Sequence, residues 1–229
     1  MRLLLAPLAA RPLLTGLWLA VVLVLLGLRG WDLALAWWFK TVAPPALVET
    51  FRRLTVLGDG LWPGLLLPLA VACCWLAGRL AGWAGWRAWA LRASYVWLAW
   101  AASGLLANLL KLAIGRLRPR DLFERGLYGF EPFHFHANSF PSGHGQTVWA
   151  VAAALWFLWP RLWPIWLAYA LLVSASRIVI SVHFFADVVF GAYLGIAAAV
   201  LLWRYSQPLR LNQMYGRMAE STINPSAMG

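Results

Sequence analysis

The chain has 229 residues, 62% hydrophobic and only 12% charged, with a formal net charge of +11 and a mean hydropathy of +0.70. A soluble domain is roughly 45–50% apolar and about 25% charged, so this composition excludes an ordinary soluble protein and points to a single membrane domain over residues 1–229. The basic residues are nearly all Arg and lie at span ends and in one loop. That placement excludes a nucleic-acid surface and points to anionic lipid head groups or a phosphate-bearing substrate.

Residues 1–12 read as a short basic leader. Pro7, Arg11 and Pro12 interrupt the apolar run and no small-residue cleavage site follows, so the first span, Leu13–Leu28, should persist as an anchor. Trp31–Lys40 is aromatic, bounded by Asp32 and Lys40, and reads as interfacial or re-entrant. Thr41–Pro45 breaks it, and residues 46–57 form a second short surface helix with Glu49, Arg52 and Arg53 on its wet side. Gly58-Asp59-Gly60 is a turn whose Asp59 caps the second span, Leu61–Gly78. Cys73 and Cys74 are neighbours in that span and are badly placed to bridge.

Arg79–Arg92 reads as a loop, Ala93–Leu112 as the third span and residues 113–143 as one long polar loop. His144–Trp159 is the fourth span, Pro160–Pro164 a turn, Ile165–Ile180 the fifth span and Val182–Trp203 the sixth. Residues 204–229 form a polar, mobile tail. The expected fold is all-α, a polytopic membrane protein of six transmembrane helices. An interfacial segment follows the first helix, and the long loop lies between the third and fourth. Six spans put both termini on one face. Once Lys111, Arg118 and Arg177 are set aside, the positive-inside balance leans to cytoplasmic termini and an outward-facing loop.

Three segments carry chemistry. Lys111 and Arg118 are seven residues apart, so a helix would show them on one face, with Pro119 ending it. Ser139-Phe140-Pro141-Ser142-Gly143-His144 closes the long loop and starts the fourth span. Ser142 or Ser139 can cap that helix, and its first-turn N–H groups are a ready anion site with a histidine beside them. Ser176-Arg177 and His183 with Asp187 place an Arg, a His and an Asp in an apolar stretch, where ionisable groups are expensive and pair or line a wet cavity. His183 and Asp187 are one helical turn apart, so the carboxylate can hold one imidazole nitrogen as N–H and leave the other free to attack. The expected topology brings all three segments to one membrane face, where cations, N–H groups and two histidines suit a phosphate monoester.

These residues, Lys-x6-Arg-Pro at 111–119, Pro-Ser-Gly-His at 141–144 and Ser-Arg-x5-His-x3-Asp at 176–187, resemble the three-part signature of the type 2 phosphatidic acid phosphatase (PAP2) superfamily. The resemblance runs from Lys111 to Asp187 and fills every signature position, and the hydropathy matches the integral-membrane branch. It implies that His183 attacks phosphorus to give a phosphohistidine, that Asp187 orients it, and that His144 protonates the leaving oxygen and then activates water. Lys111, Arg118 and Arg177, with Ser142 and the Gly143 N–H, would hold the phosphate oxygens. No metal and no cofactor is implied.

The implied substrate is a lipid phosphate or diphosphate of the phosphatidic acid, phosphatidylglycerophosphate, undecaprenyl diphosphate or lipid A type. It would be hydrolysed at the outer face of a bacterial inner membrane. The alternatives are a lipid-linked phosphotransferase using the same phosphohistidine, or a non-catalytic lipid-phosphate binder or transporter. Neither the lipid nor an oligomeric state follows from the signature. Two loop features stay open. His134 and His136 lack a third ligand and read as surface. Arg116, Arg120 and Arg125 either recognise a second anionic group or are solvated charge. Phe123, Tyr128, Phe130, Phe133 and Phe140 read as aromatics that seat the loop on the bilayer and shield the site.

Overall fold

A computed structural model describes residues 11–82 and 85–223, with side chains as far as Ser206. The leader before Arg11 and the last six residues of the tail lie outside the described residues. The elements are α1 (Pro12–Leu26), a π-helical turn (Gly27–Trp31), α2 (Asp32–Thr41), α3 (Pro45–Leu54), a 3₁₀ turn (Thr55–Gly58), α4 (Leu61–Leu80) and α5 (Trp86–Ile114). There follow α6 (Pro119–Arg125), α7 (Gly143–Leu158), a second 3₁₀ turn (Pro160–Leu162), α8 (Trp163–Val179) and α9 (Phe185–Ile223). No β-strand occurs among the described residues, where one isolated bridge, Arg116 with Phe130, ties the long loop together.

Among the described residues five stretches are long and apolar enough to cross a bilayer: Pro12–Thr41, Pro45–Leu80, Trp86–Ile114, Pro160–Val179 and Phe185–Ser206. The chain is an all-helical integral membrane protein. The segment expected to be the fourth span is α7, only 16 residues long against the roughly 20 that a helix needs to cross. It is the most enclosed helix, with Val148, Ala150 and Ala154 fully buried, and it packs against α5, α8 and most extensively α9.

Small residues make that central pairing possible. A Cβ on Gly195 of α9 would lie 2.5 Å from the Ala150 nitrogen and 2.5 Å from the Gln146 oxygen, and one on Gly191 would lie 2.5 Å from the Ser142 oxygen. Gly191 and Gly195 form a G-x-x-x-G face that lets two backbones touch, a spacing that apolar counting overlooks. Polar side chains cross-link the bundle. Tyr95 Oη donates to the Ala199 oxygen at 2.9 Å, and Gln146 Nε2 to Ser103 Oγ at 2.6 Å. α4 has no buried residue, so its Leu-rich surface, with Leu65 and Leu69 exposed, faces lipid.

Four boundaries differ from expectation. The segment expected to be interfacial, α2, follows α1 without a loop, across a π turn kinked at Gly30. The Arg79–Arg92 loop shrinks to a few residues, since Trp86–Arg92 have good helix formers and extend α5. The sixth span starts at Phe185 instead of Val182, after a turn. The tail is helical to Ile223, a continuation of α9 that runs on through Pro208 and Gly216.

Candidate active site at the helix ends

The first cation motif is built by a turn, not by one helical face. α5 stops at Ile114 because Gly115 is left-handed (φ 58°) and its N–H returns to the Lys111 oxygen at 2.9 Å. A Cβ there would lie 1.8 Å from the Glu131 oxygen, so the loop closes only over glycine. Arg118 is then extended, and Pro119 opens α6 where it was expected to end a helix.

One residue gathers the two cations. Lys111 Nζ donates to the Asn138 backbone oxygen at 3.0 Å, and Arg118 Nε to Asn138 Oδ1 at 2.7 Å. Arg177, in the last turn of α8, donates Nη1 to Thr55 Oγ1 at 2.6 Å, and its Nε is buried without a hydrogen-bond partner. Each of these three cations is anchored by a neutral oxygen. Among the described residues none of them is ion-paired with a carboxylate, whereas Arg116, Arg120 and Arg125 all are. Their charge is therefore left for a ligand.

The Ser139–His144 turn delivers N–H groups to the same place. Ser142 caps α7, its Oγ accepting the Gly145 N–H at 3.2 Å, and its own N–H donates to the Asp187 oxygen at 2.9 Å. Gly143 and His144 occupy the first turn, whose N–H groups have no intrahelical acceptor. A Cβ on Gly143 would stand 4.0 Å from Lys111 Nζ, so the turn and the ammonium are neighbours. His144 packs its ring edge against Gly58, where a Cβ would lie 3.0 Å from Cδ2.

His183 sits in the turn between α8 and α9, its N–H donating to the Arg177 oxygen at 3.2 Å. The helical spacing expected for His183 and Asp187 does not hold, because α9 begins after His183. The contact forms all the same, since Asp187 reaches back from the first turn of α9. Asp187 Oδ2 accepts the Phe184 N–H at 2.8 Å and the Ser139 hydroxyl at 2.6 Å, and lies 3.6 Å from His183 Nδ1. Ser139 Oγ is also 3.5 Å from that nitrogen. With Nδ1 turned to the carboxylate, Nε2 is the nitrogen available to a ligand. Burial lowers the His183 pKa to about 4 against the pull of Asp187, so the imidazole is neutral at physiological pH.

The sequence profile of the PAP2 superfamily matches residues 92–211, which hold all three motifs. The chain belongs to the PAP2 superfamily. Two relatives are lipid A 1-phosphatases. That of Rhizobium etli is 36% identical over 172 residues, 70% of this chain and 74% of its own length. That of Rhizobium johnstonii is 39% identical over 117 residues, 48% of each chain. Two solved structures share the fold. The transmembrane PAP2-type phosphatidylglycerolphosphate phosphatase of Bacillus subtilis has a TM-score of 0.64 at 23% identity, over 86% of this chain and 96% of its own. Aquifex aeolicus LpxE has a TM-score of 0.56 at 24% identity, over 76% and 95%. The protein is thus an integral-membrane lipid phosphatase of PAP2 type.

The eight residues expected at the PAP2 site lie at or beside the ends of α5, α6, α7, α8 and α9. Three others take parts that sequence reasoning did not assign them. Asn138 and Ser139 adjoin the Pro-Ser-Gly-His turn, but a polar loop residue gives no sign of its partner. Arg116 is neither solvated nor free for a second anion. It is 1% exposed, and its Nη1 and Nη2 donate to Asp187 Oδ1 and Asp32 Oδ2, each at 2.6 Å. Arg125 pairs with Asp121, and Arg120 stays largely exposed. The loop aromatics divide: Phe140 is buried on Phe190, Tyr128 packs edge-on to Phe184 and Phe123 against Trp37, while Phe130 and Phe133 are exposed. His136 bonds Glu131 at 2.6 Å on the surface, and no group of three metal-binding side chains occurs among the described residues.

Proposed function

We propose that this phosphatase removes the 1-phosphate of a lipid A-type molecule through a phosphohistidine on His183, at the outer face of a bacterial inner membrane. The observation that carries the chemistry is the facing of two unlike sets. Three cations, held only by neutral oxygens, converge on an imidazole held by a buried carboxylate. The substrate assignment rests on the two lipid A 1-phosphatase relatives.

In this reading Lys111, Arg118, Arg177 and the Gly143 N–H take the non-bridging phosphate oxygens, and Ser142 fixes the turn that presents them. These donors are already in place when charge builds on the equatorial oxygens, which is where such preorganised groups lower a barrier. His183 Nε2 attacks phosphorus in line as the ester bond breaks, and His144 gives its proton to the departing lipid oxygen. Asp187 keeps the Nδ1 proton in place and offsets the charge gathering on the ring. His144 then takes a proton from water, whose oxygen attacks the phosphohistidine and releases inorganic phosphate. No step draws on a metal or a cofactor. The reading takes α7 as a sixth, short span with both termini cytoplasmic, so the phosphate lies at head-group depth and the acyl chains stay in lipid.

Phosphate release by the purified protein in detergent with EDTA tests the proposal. The panel is lipid A, phosphatidic acid, phosphatidylglycerophosphate and undecaprenyl diphosphate, beside His183→Ala. Release should be greatest from lipid A and absent in the folded variant. Retained turnover in His183→Ala, or loss of wild-type activity in EDTA, overturns the chemistry. A different leading lipid overturns only the substrate.

A further inference from the structure

Buried at the back of the site is a charge cluster that the proposed reaction does not use. Arg116 lies between two carboxylates, Asp187 and Asp32, whose side chains are both wholly buried. Its third polar partner is the Tyr128 hydroxyl, 3.0 Å from Nη2, and its guanidinium lies 4.5 Å from the centre of the Phe184 ring. Asp32 Oδ1 also accepts the Ala186 N–H at 2.9 Å. The first turn of α9 is therefore held by two carboxylates, Asp32 on Ala186 and Asp187 on Phe184, with one guanidinium bridging them.

The chain takes trouble to bring Asp32 here. It stands just after the π turn that joins α1 to α2, an irregularity often found at functional sites. Gly27, one turn earlier, leaves the room: a Cβ there would lie 2.9 Å from Ala186 Cβ and 3.0 Å from Asp32 Oδ1. Asp32 is 84 residues from Arg116 and lies outside the segment that the superfamily profile matches. The sequence reads Asp32 only as one bound of an interfacial segment. The structure buries it, because the kink at Gly30 turns the carboxylate inward.

We infer that Asp32 and Arg116 are positioning residues for Asp187: the Asp32–Arg116 pair fixes the carboxylate that holds His183, so the N-terminal helix completes the site. The inference rests on the assignment of His183 and Asp187 made above. Asp187 Oδ2 faces His183, and Oδ1 is taken by Arg116, so the guanidinium sets the rotation of the carboxylate about its own axis. Lysine cannot reproduce this, because two carboxylates are bridged by two different nitrogens of one planar group. A buried triad of two anions and one cation also leaves one net negative charge, which the imidazole meets as positive charge gathers on it.

A merely structural cluster would predict loss of folding and nothing else, so the test is a double-mutant cycle on kcat and KM. Outer partners of an orienting group typically matter by about 10–100-fold. Asp32→Asn, which keeps the acceptor for Ala186, should lower kcat by that factor with KM within about twofold. In the Asp187→Asn background the same change should lower kcat by less than about threefold, because its route of action is already gone. Equal losses in both backgrounds, or full activity of folded Asp32→Asn, overturn the inference. If Asp32→Asn does not yield folded protein, Arg116→Lys replaces it in the cycle with the same expectations. His183→Ala in parallel separates the two claims. Its inactivity beside a silent Asp32→Asn refutes only the positioning role, and its activity refutes the underlying assignment.

Discussion

Asn138 gives the sharpest test of how the phosphate site is charged. Its backbone oxygen holds Lys111 and its side-chain oxygen holds Arg118 at 2.7 Å. Asn138→Ala keeps the first contact and loses the second. A hydrogen bond to a charged group is worth about 1.5–3 kcal/mol, or about 10–150-fold in kcat/KM if all of it is felt in the transition state. Arg118 can still reach the phosphate, so the lower end of that range is expected. Asn138→Asp is the discriminating variant. It supplies a stronger acceptor to Arg118 and should anchor it better. It also puts a negative charge beside the bound phosphate. At a separation of about 6 Å and an effective dielectric of about 20, that repulsion is about 3 kcal/mol per phosphate charge, on the order of 100-fold. If neutral anchoring is what keeps the cations available, activity falls from wild type to Asn138→Ala to Asn138→Asp. Steady-state phosphate release, with inhibition by inorganic phosphate as a measure of anion affinity, reads the order. Wild-type activity in Asn138→Asp would refute the reasoning, because it would show that rigidity of Arg118 matters and its free charge does not.

Two further outcomes follow from the geometry. Gly195→Val places side-chain atoms against the Ala150 and Gln146 backbones, which cannot yield as a side chain would. Overpacking of this kind destabilises by about 1–3 kcal/mol, so its melting temperature in detergent should fall by several degrees, while Gly16→Ala, facing only the Tyr193 ring edge at 3.6 Å, should match wild type. The second concerns pH. The fold holds the His183 pKa down, from an ordinary 6.5 to about 4, so folding favours the neutral ring. That contribution is complete above the unfolded value and drains away as pH falls from about 6.5 toward 4, a loss of about 3 kcal/mol. Relative to His183→Gln, wild type should lose that much stability between pH 7 and pH 4, measured by thermal melting in detergent. Parallel pH curves for the two proteins would contradict a neutral, buried His183.

Much of the site was legible because its chemistry is expensive. Arg177, His183 and Asp187 stand out in an apolar stretch, since a charge there needs a reason, and Ser142 with His144 stands out at a helix start. What could not be read was partnership. Asp32 reads as a bound of an interfacial segment, and Arg116 as an anion ligand or solvated charge, until a π turn, which has no simple sequence signature, brings them together. Asn138 and Ser139 are ordinary loop polars until the loop folds onto α9. The helices were found well where hydrophobic runs are long. Their ends were misplaced where good helix formers extend past the apolar run, as at Trp86–Arg92 and after Trp203. The G-x-x-x-G face of α9 was present in the sequence, but hydropathy does not register a backbone contact.

The site divides its cations into two kinds, and the division explains why so many can sit together in a chain this apolar. Arg116 is fully neutralised, and it serves the carboxylates around it. Lys111, Arg118 and Arg177 have no carboxylate partner among the described residues, so without a ligand they repel one another. Like charges gathered at low dielectric are destabilising unless an anion joins them. Three neutral oxygens on two residues hold them against that repulsion: the backbone and side-chain oxygens of Asn138 in the long loop for two, and the Thr55 hydroxyl in the 3₁₀ turn for the third. In the proposed reaction a lipid phosphate would relieve the repulsion on binding, and relieve it further as charge grows on its equatorial oxygens. On that proposal, folding energy set aside in the free protein would return as transition-state stabilisation, so exchanging an anchor for a carboxylate should ease the fold and slow the enzyme.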